Sequence, residues 1–165
     1  MAVLYVLCGV PGSGKSTFAR DFKRNGNIVH ISRDEIRFSI LEDGDSYFAH
    51  EDEVTEIFWD TINKNLAAGV SVIADQTSLN FRSRCWLLDH IHVPCTKMAI
   101  YMDIPFSVCK ERNAQRTGLQ RVPDSKLRGM FNAFTLPVIE EGFDYIGRVG
   151  QDNILWIEDS KVGDE

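Results

Sequence analysis

Apolar residues fall along this chain in two alternating rhythms. Short unbroken apolar runs, rich in β-branched residues, occupy Ala2 to Cys8 (AVLYVLC), Ile28 to Ser32 (IVHIS), Val70 to Asp75 (VSVIAD) and Lys97 to Ile104 (KMAIYMDI). Runs of this kind suit strands covered on both faces of a parallel sheet. Asn153 to Glu158 (NILWIE) is a weaker fifth candidate. Between the runs the period lengthens. From Glu51 to about Ala68, the residues Val54, Ile57, Phe58, Ile62 and Leu66 share one helical face, and Gly69 supplies a stop. Further helices are expected over Lys15 to Phe22, Phe81 to Ile91, Pro105 to about Gln115 and Pro123 to Phe134, the prolines standing in first turns. Repeated strand–helix–strand units predict an α/β fold, a parallel sheet of about five strands with helices on both faces. No repeat, low-complexity tract or linker divides the sequence, so residues 1–165 are expected to form a single domain with a polar, fraying tail from Lys161 to Glu165. Ile139 to Asn153 carries no chemistry that its pattern identifies, and packing or a subunit contact are both open there.

Composition narrows this picture. With 165 residues and 44% hydrophobic content the chain can bury one core. No stretch reaches the roughly 18 apolar residues of a membrane span, and the apolar run at Met1 to Cys8 is too short for a signal peptide. A soluble, cytoplasmic protein without membrane partners is expected. The four cysteines show no CxxC spacing and read as reduced structural thiols. His90 and His92 could share a face on an extended segment, but no further ligands accompany them. The net charge of −6 argues against coating duplex nucleic acid. Charge is unevenly spread, however: Glu42 to Asp60 holds eight acids and no Lys or Arg, whereas Lys110 to Arg128 holds six bases against two acids. A local anion site is therefore compatible with an acidic chain.

The sharpest motif follows the first strand. Gly9-Val10-Pro11-Gly12-Ser13-Gly14-Lys15-Ser16 satisfies G-x-x-x-x-G-K-[ST], and Thr17 continues it into the expected helix. Glycines let the backbone curl so that successive N–H groups face an anion, and the helix N-terminus adds its positive dipole end. Lys15 then reaches the β- and γ-phosphates of ATP while the Ser16 hydroxyl is placed to ligate Mg²⁺. This predicts a P-loop NTPase fold. Asp75, closing its strand, suits the second metal-side carboxylate, directly or through water; a simple turn-forming or capping role is the alternative.

Two stretches address the phosphate acceptor. In Ile31 to Ile40 (ISRDEIRFSI), Asp34 and Arg37 lie three apart on one helix face at the strand edge that carries the P-loop. A carboxylate there can take a hydroxyl proton and an arginine can grip an anionic group; a capping Asp with a surface ion pair fits equally well. In Cys109 to Pro123 (CKERNAQRTGLQRVP), Arg112 and Arg116 are four apart on a helix leading into a Gly118 loop. Such a segment suits an arginine-bearing lid over the transferring phosphoryl group, or a solvated basic helix.

Taken in order, GVPGSGKSTFAR, SRDEIRFSI, IADQTSLNFRSR and DIPFSVCKERNAQRTGLQRVPDSKLRGMF resemble the successive motifs of the kinase domain of bacteriophage-type 5′-polynucleotide kinases, and of the wider small P-loop kinase group that includes the kinase module of eukaryotic end-healing enzymes. The resemblance runs from about Val3 to Phe134. It implies transfer of the ATP γ-phosphate to the single-stranded 5′-OH end of DNA or RNA. It makes Asp34 the general base, Arg37 the holder of the phosphate 3′ to the accepting nucleoside, and Arg116, supported by Arg112, the lid arginine. The acceptor channel would be rimmed by Arg37, Arg82, Arg84 and Arg121. Two features depart from the family. Asp103-Ile104-Pro105 is not the D-x-D-x-T pattern of the phosphatase that phage enzymes often carry, so no phosphatase activity is expected. Ser78 stands where the wider family usually has Asn.

Other functions remain compatible with the same loop. A kinase of a small hydroxylated molecule would show little dependence on oligonucleotide length, and a regulatory nucleotide-binding protein would bind ATP without acceptor-dependent turnover. The co-occurrence of Asp34, Arg37, Arg112 and Arg116 counts against the latter.

Overall fold

The computed structural model describes residues 1–161; of the tail expected to fray from Lys161 to Glu165, all but Lys161 lies outside the described residues. Six strands form one sheet: β1 (Val3–Cys8), β2 (Ile28–Ser32), β3 (Ser71–Asp75), β4 (Thr96–Met102), β5 (Tyr145–Val149) and β6 (Leu155–Ser160). Their order is β2-β3-β1-β4-β5-β6, with β1 to β5 parallel and β6 antiparallel to β5. Helices α1 (Lys15–Phe22), α2 (Arg33–Ile40), α3 (Glu51–Ala67), α4 (Phe81–Asp89), α5 (Phe106–Ala114) and α6 (Asp124–Ala133) fill the connections.

Strand alternation sends successive side chains to opposite faces. Leu4, Val6, Val72 and Ala74 therefore pack with Phe58, Ile62 and Leu87 of α3 and α4. Leu7, Ile73 and Ile100 face the other way, towards Phe18 and Ala19 of α1, Cys109 of α5 and Leu127 of α6. The continuous apolar runs are thus the consequence of a sheet covered on both sides. Within α3, Val54, Phe58, Ile62 and Leu66 are buried, but Ile57 is 38% exposed and lies off the buried stripe.

The sheet has one strand more than the sequence pattern predicts. β5 falls inside the Ile139 to Asn153 stretch, where Gly147 and Arg148 interrupt the apolar run. Gly147 sits at a register irregularity between β5 and β6, with the ends of the Leu155 and Met98 side chains packed over it. The last strand begins at Leu155, later than expected, because Asn153 turns through φ 60°. Among the described residues, no helix is long and apolar enough to cross a membrane.

Candidate active site

β1 lies between β3 and β4 in the sheet, so the chain leaves β1 on one side for β2 and β3 and passes to the other for β4. The crevice at the carboxyl ends of these strands is where such sheets bind ligands. Gly9 to Ser16 bridges β1 and α1 at that edge.

Two positions in this loop require glycine. Gly12 has φ +81°, and a Cβ there would collide with the Cys109 carbonyl of α5, so the loop rests directly on that helix. Gly14 caps α1 in the left-handed region with φ +91° and brings no capping side chain to the first-turn N–H groups. Ser13 Oγ is buried without a hydrogen-bond partner. Such a group costs about 1–3 kcal/mol, a penalty that a phosphate oxygen in the loop would remove. Lys15 Nζ folds back on the loop, donating to the Gly9 carbonyl at 2.7 Å and the Val10 carbonyl at 3.1 Å. Burial and the Arg116 charge lower its pKa, while Asp75 and Asp34 oppose the shift. The Lys15 ammonium and the uncapped first-turn N–H groups of α1 thus lie together at the loop.

Ser16 Oγ donates to Asp75 Oδ2 at 3.0 Å, joining the start of α1 to the end of β3. Burial opposes ionisation of Asp75, but His30, 2.8 Å away, Lys15 and Ser16 together hold its pKa below the ordinary value. The hydroxyl and carboxylate are the hard oxygen donors that Mg²⁺ takes alongside phosphate and water. His30 is a contributor that sequence reading missed. Its one signal was a histidine in an apolar strand, on the same face as the strand-end Ser32.

The β3–α4 turn is fastened to the loop, since the Gly9 N–H donates to the Thr77 carbonyl at 2.9 Å. Ser78, next along, is 1% exposed with φ 45°. Asn is among the residues that tolerate this left-handed conformation best, so the departure from the family pattern falls on a strained position.

On the acceptor side, Ser32 ends β2 in register with Asp75 and caps α2, its Oγ accepting from the Glu35 N–H at 3.2 Å. Asp34 therefore stands in the first turn of α2 at the same edge. Arg37 Nη1 donates to Asp34 Oδ1 and, at 2.7 Å, to Tyr47 Oη, while Tyr47 O–H donates to Asp34 Oδ1 at 2.5 Å. Arg37 Nη2 is held by both oxygens of Glu51, at 3.0 and 2.8 Å, and Glu51 also accepts from Arg33 at 2.6 Å. Arg37 is not an open phosphate clamp: it is 3% exposed and Glu51 fills its fork. Its Nε is buried without a partner. Burial pushes the Glu51 pKa up, but the Arg37 and Arg33 bonds outweigh it and leave it lowered.

Arg84 corrects the expected channel. It projects from the buried face of α4 and is 0% exposed. Its guanidinium pairs with Glu141 through Nε at 2.6 Å and Nη2 at 2.8 Å, and ties down the carbonyls of Ser78, Thr135 and Leu136 at 3.0, 2.9 and 3.3 Å. It is a structural tie rather than a rim residue. Arg82 and Arg121 are exposed.

In the basic segment, Arg112 and Arg116 do not share one helix as expected. α5 ends at Ala114, leaving Arg116 in the connection to α6. Asn113, fully buried, closes that connection by donating to the Val122 carbonyl at 2.7 Å and accepting from the Val122 N–H at 3.1 Å. Arg112 reaches back to the P-loop, its Nη1 3.5 Å from the Gly12 carbonyl. Beyond α5, a cavity of about 410 Å³ opens at the carboxyl ends of β4 and β5, lined by Ile104, Pro105, Phe131, Arg148 and Gln151 among others.

His90 stacks on Trp59 at 3.6 Å, with its Nδ1 2.7 Å from the Trp86 carbonyl. Among the described residues no group of three His, Cys, Asp or Glu side chains is placed to hold a metal, and all four cysteines are free. Burial pushes the Cys8 thiol up to about 12.

Comparison with known proteins agrees with this geometry. A family model described as AAA domain matches residues 4–137. The L-seryl-tRNA(Sec) kinase of Methanococcus maripaludis is 28% identical over 149 residues, covering 86% of this chain and 56% of that protein. A protein of Autographa californica nuclear polyhedrosis virus, provisionally named a bifunctional polynucleotide kinase/RNA ligase, is 28% identical over 131 residues, covering 69% of this chain and 18% of its own length. A chain in the structure of the Pnkp1/Rnl/Hen1 RNA repair complex superposes with a TM-score of 0.64 at 28% identity, covering 80% of this chain and 43% of that one. The chain spans about half the length, or less, of these relatives.

Proposed function

The chain belongs to the AAA domain family and is a P-loop kinase domain, and from that premise we propose that it transfers the γ-phosphate of ATP to the 5′-hydroxyl end of single-stranded DNA or RNA. The observation that supports the reading is one of register: Ser32, two residues before Asp34, lies opposite Asp75, which accepts from Ser16 at 3.0 Å beside Lys15, so that the carboxylate and the phosphate loop share one strand edge. A hydroxyl placed between them has a base on one side and a phosphate-bearing cation on the other.

The chain's own residues then divide the work. Gly9, Pro11, Gly12, Ser13, Gly14 and Thr17 shape the loop that holds the triphosphate, with Lys15 at its inner end. Ser16 and Asp75 would hold Mg²⁺, which supplies positive charge against the phosphate oxygens. Asp34 keeps Oδ1 in bonds from Tyr47 and Arg37 and uses Oδ2 to accept the acceptor's proton. Arg37 takes the neighbouring acceptor phosphate by exchanging Glu51 on Nη2. Arg116 closes from the α5–α6 connection as a lid, with Arg112 in support from the last turn of α5, offsetting charge on the transferred group and excluding water. The cavity beside β4 and β5 lies on the same edge and suits the nucleoside of the donor. Arg82 and Arg121 are placed along the acceptor strand; Arg84 has no part in contacting it.

A second reading is supported by the likeness to the kinase of Methanococcus maripaludis, which extends over 86% of this chain. An acceptor hydroxyl carried on an aminoacyl group or another small molecule would use the same base and loop. Transfer of label from γ-labelled ATP to 5′-hydroxyl oligonucleotides, compared with small hydroxylated acceptors, separates the two. Labelled oligonucleotides support the polynucleotide reading, and label on small acceptors alone removes it.

A further inference from the structure

Beyond the reacting groups, the α2–α3 loop presents an aromatic surface with no assigned use. Tyr47, whose hydroxyl holds Asp34, is followed by Phe48, and the two rings meet edge to face at 4.7 Å and 87°. Phe48 is 57% exposed. A single exposed phenylalanine is ordinary and by itself implies nothing. What distinguishes this one is its company. The Lys126 ammonium, from α6 on the far side of the lid connection, lies 5.3 Å from the ring centroid, and the Arg37 guanidinium lies 5.8 Å from it. An exposed ring, two cations from separate elements and the candidate base, bonded to the neighbouring Tyr47, converge at one mouth of the crevice.

A second aromatic group, around the exposed Trp86, differs in its charged neighbours. Trp59, Trp86 and His90 also pack together, but the hollow they line with Asp52 and Glu56 has no Lys or Arg to meet a phosphate backbone.

Resting on the polynucleotide reading above, we propose that Phe48 is the stacking platform for the terminal nucleobase of the acceptor and that Lys126 contacts the strand's phosphate backbone. Single-stranded nucleic acids are held by this combination of aromatic faces and cations, which tolerates any base because every base has a π-face. A base sliding onto Phe48 takes the place the ammonium now occupies and frees that charge for the backbone. The nucleoside whose 5′-hydroxyl faces Asp34 thereby has its base fixed by the residue next to Tyr47. A small acceptor lacking a base gains nothing from Phe48.

The test uses the whole chain, wild type and the variants Phe48→Ala and Phe48→Trp, with 5′-hydroxyl oligonucleotides whose first residue is 2-aminopurine, an ordinary nucleotide or an abasic sugar. Phe48→Ala should raise KM for the ordinary acceptor about 5- to 150-fold with kcat little changed, and Phe48→Trp should restore it. Stacking should quench 2-aminopurine fluorescence on the wild type and on Phe48→Trp but not on Phe48→Ala. The abasic acceptor should be indifferent to all three side chains. If the wild type phosphorylates oligonucleotides and Phe48→Ala matches it in KM and quenching, or raises KM equally for the abasic end, the platform is wrong while the polynucleotide reading stands. If the wild type labels no oligonucleotide, that reading falls first and the platform with it.

Discussion

The donor half and the acceptor half of the crevice are built on different plans. The phosphate loop is one contiguous stretch, Gly9 to Thr17, whose backbone is set by its own glycines and by the ends of β1 and α1. The acceptor side is assembled from Asp34 and Arg37 on α2, Tyr47 in a loop and Glu51 on α3, joined by a closed set of hydrogen bonds. A local site tolerates change elsewhere, whereas an assembled one fails when any of its contributing elements moves.

Two buried arginines sharpen the contrast. Arg37 is 3% exposed and Arg84 is 0% exposed, and each pairs with a glutamate. They differ in what would be left behind. The Glu141 side chain is 1% exposed, so losing Arg84 strands a carboxylate in the interior; Glu51 and Asp34 are 33% and 53% exposed, so water can receive them. On the proposed reading, a buried guanidinium serves stability at one place and acceptor binding at the other.

The comparison can be broken most forcefully at Asp34. Asp34→Asn should lower kcat about 10²- to 10⁴-fold while the Kd for ATP stays close to wild type. A fully active variant would remove Asp34 as the base. Arg84→Ala should cost about 3–5 kcal/mol of unfolding free energy, read from denaturant midpoints, because it leaves a buried charge unpaired. A stability unchanged within experimental error would contradict the structural role given to the Arg84–Glu141 pair. Arg37→Ala should raise the acceptor KM about 10- to 150-fold, with a smaller loss of stability than Arg84→Ala and little change in KM for ATP. An unchanged acceptor KM would leave Arg37 as a support for Asp34 and Tyr47 alone.

The smallest effect concerns acid. Glu51 has its folded pKa lowered from the ordinary 4.5, so its contribution is fully present above the unfolded value and is lost as pH falls through the folded one. Glu51→Gln should therefore lower stability at neutral pH and flatten the decline in melting temperature below about pH 4.5. Parallel acid limbs for the two proteins would contradict the shift.

What the sequence disclosed follows the same division. The P-loop, its strand and helix, and Asp75 at the end of β3 were readable because spacing within a short stretch dictates their geometry. β5 was hidden because Gly147 and Arg148 break the apolar run that marks its neighbours. Tyr47, Glu51, Asn113 and Glu141 act through residues distant in sequence and leave no local pattern. Arg84 was legible in principle. With Leu87, Leu88 and Ile91 it stands at helical spacing on the buried stripe of α4 and the turn after it. Reading its charge before its place on that face sent it to the wrong surface. Arg33 and Arg37 repeat the lesson, four apart on the side of α2 that meets Glu51.

The most direct measurement of the central claim is label transfer from γ-labelled ATP, with Mg²⁺, to a short single-stranded oligonucleotide bearing a 5′-hydroxyl, beside the same oligonucleotide already 5′-phosphorylated. The account predicts label on the first and none on the second, lost in Asp34→Asn. ATP binding without label on either oligonucleotide would contradict it.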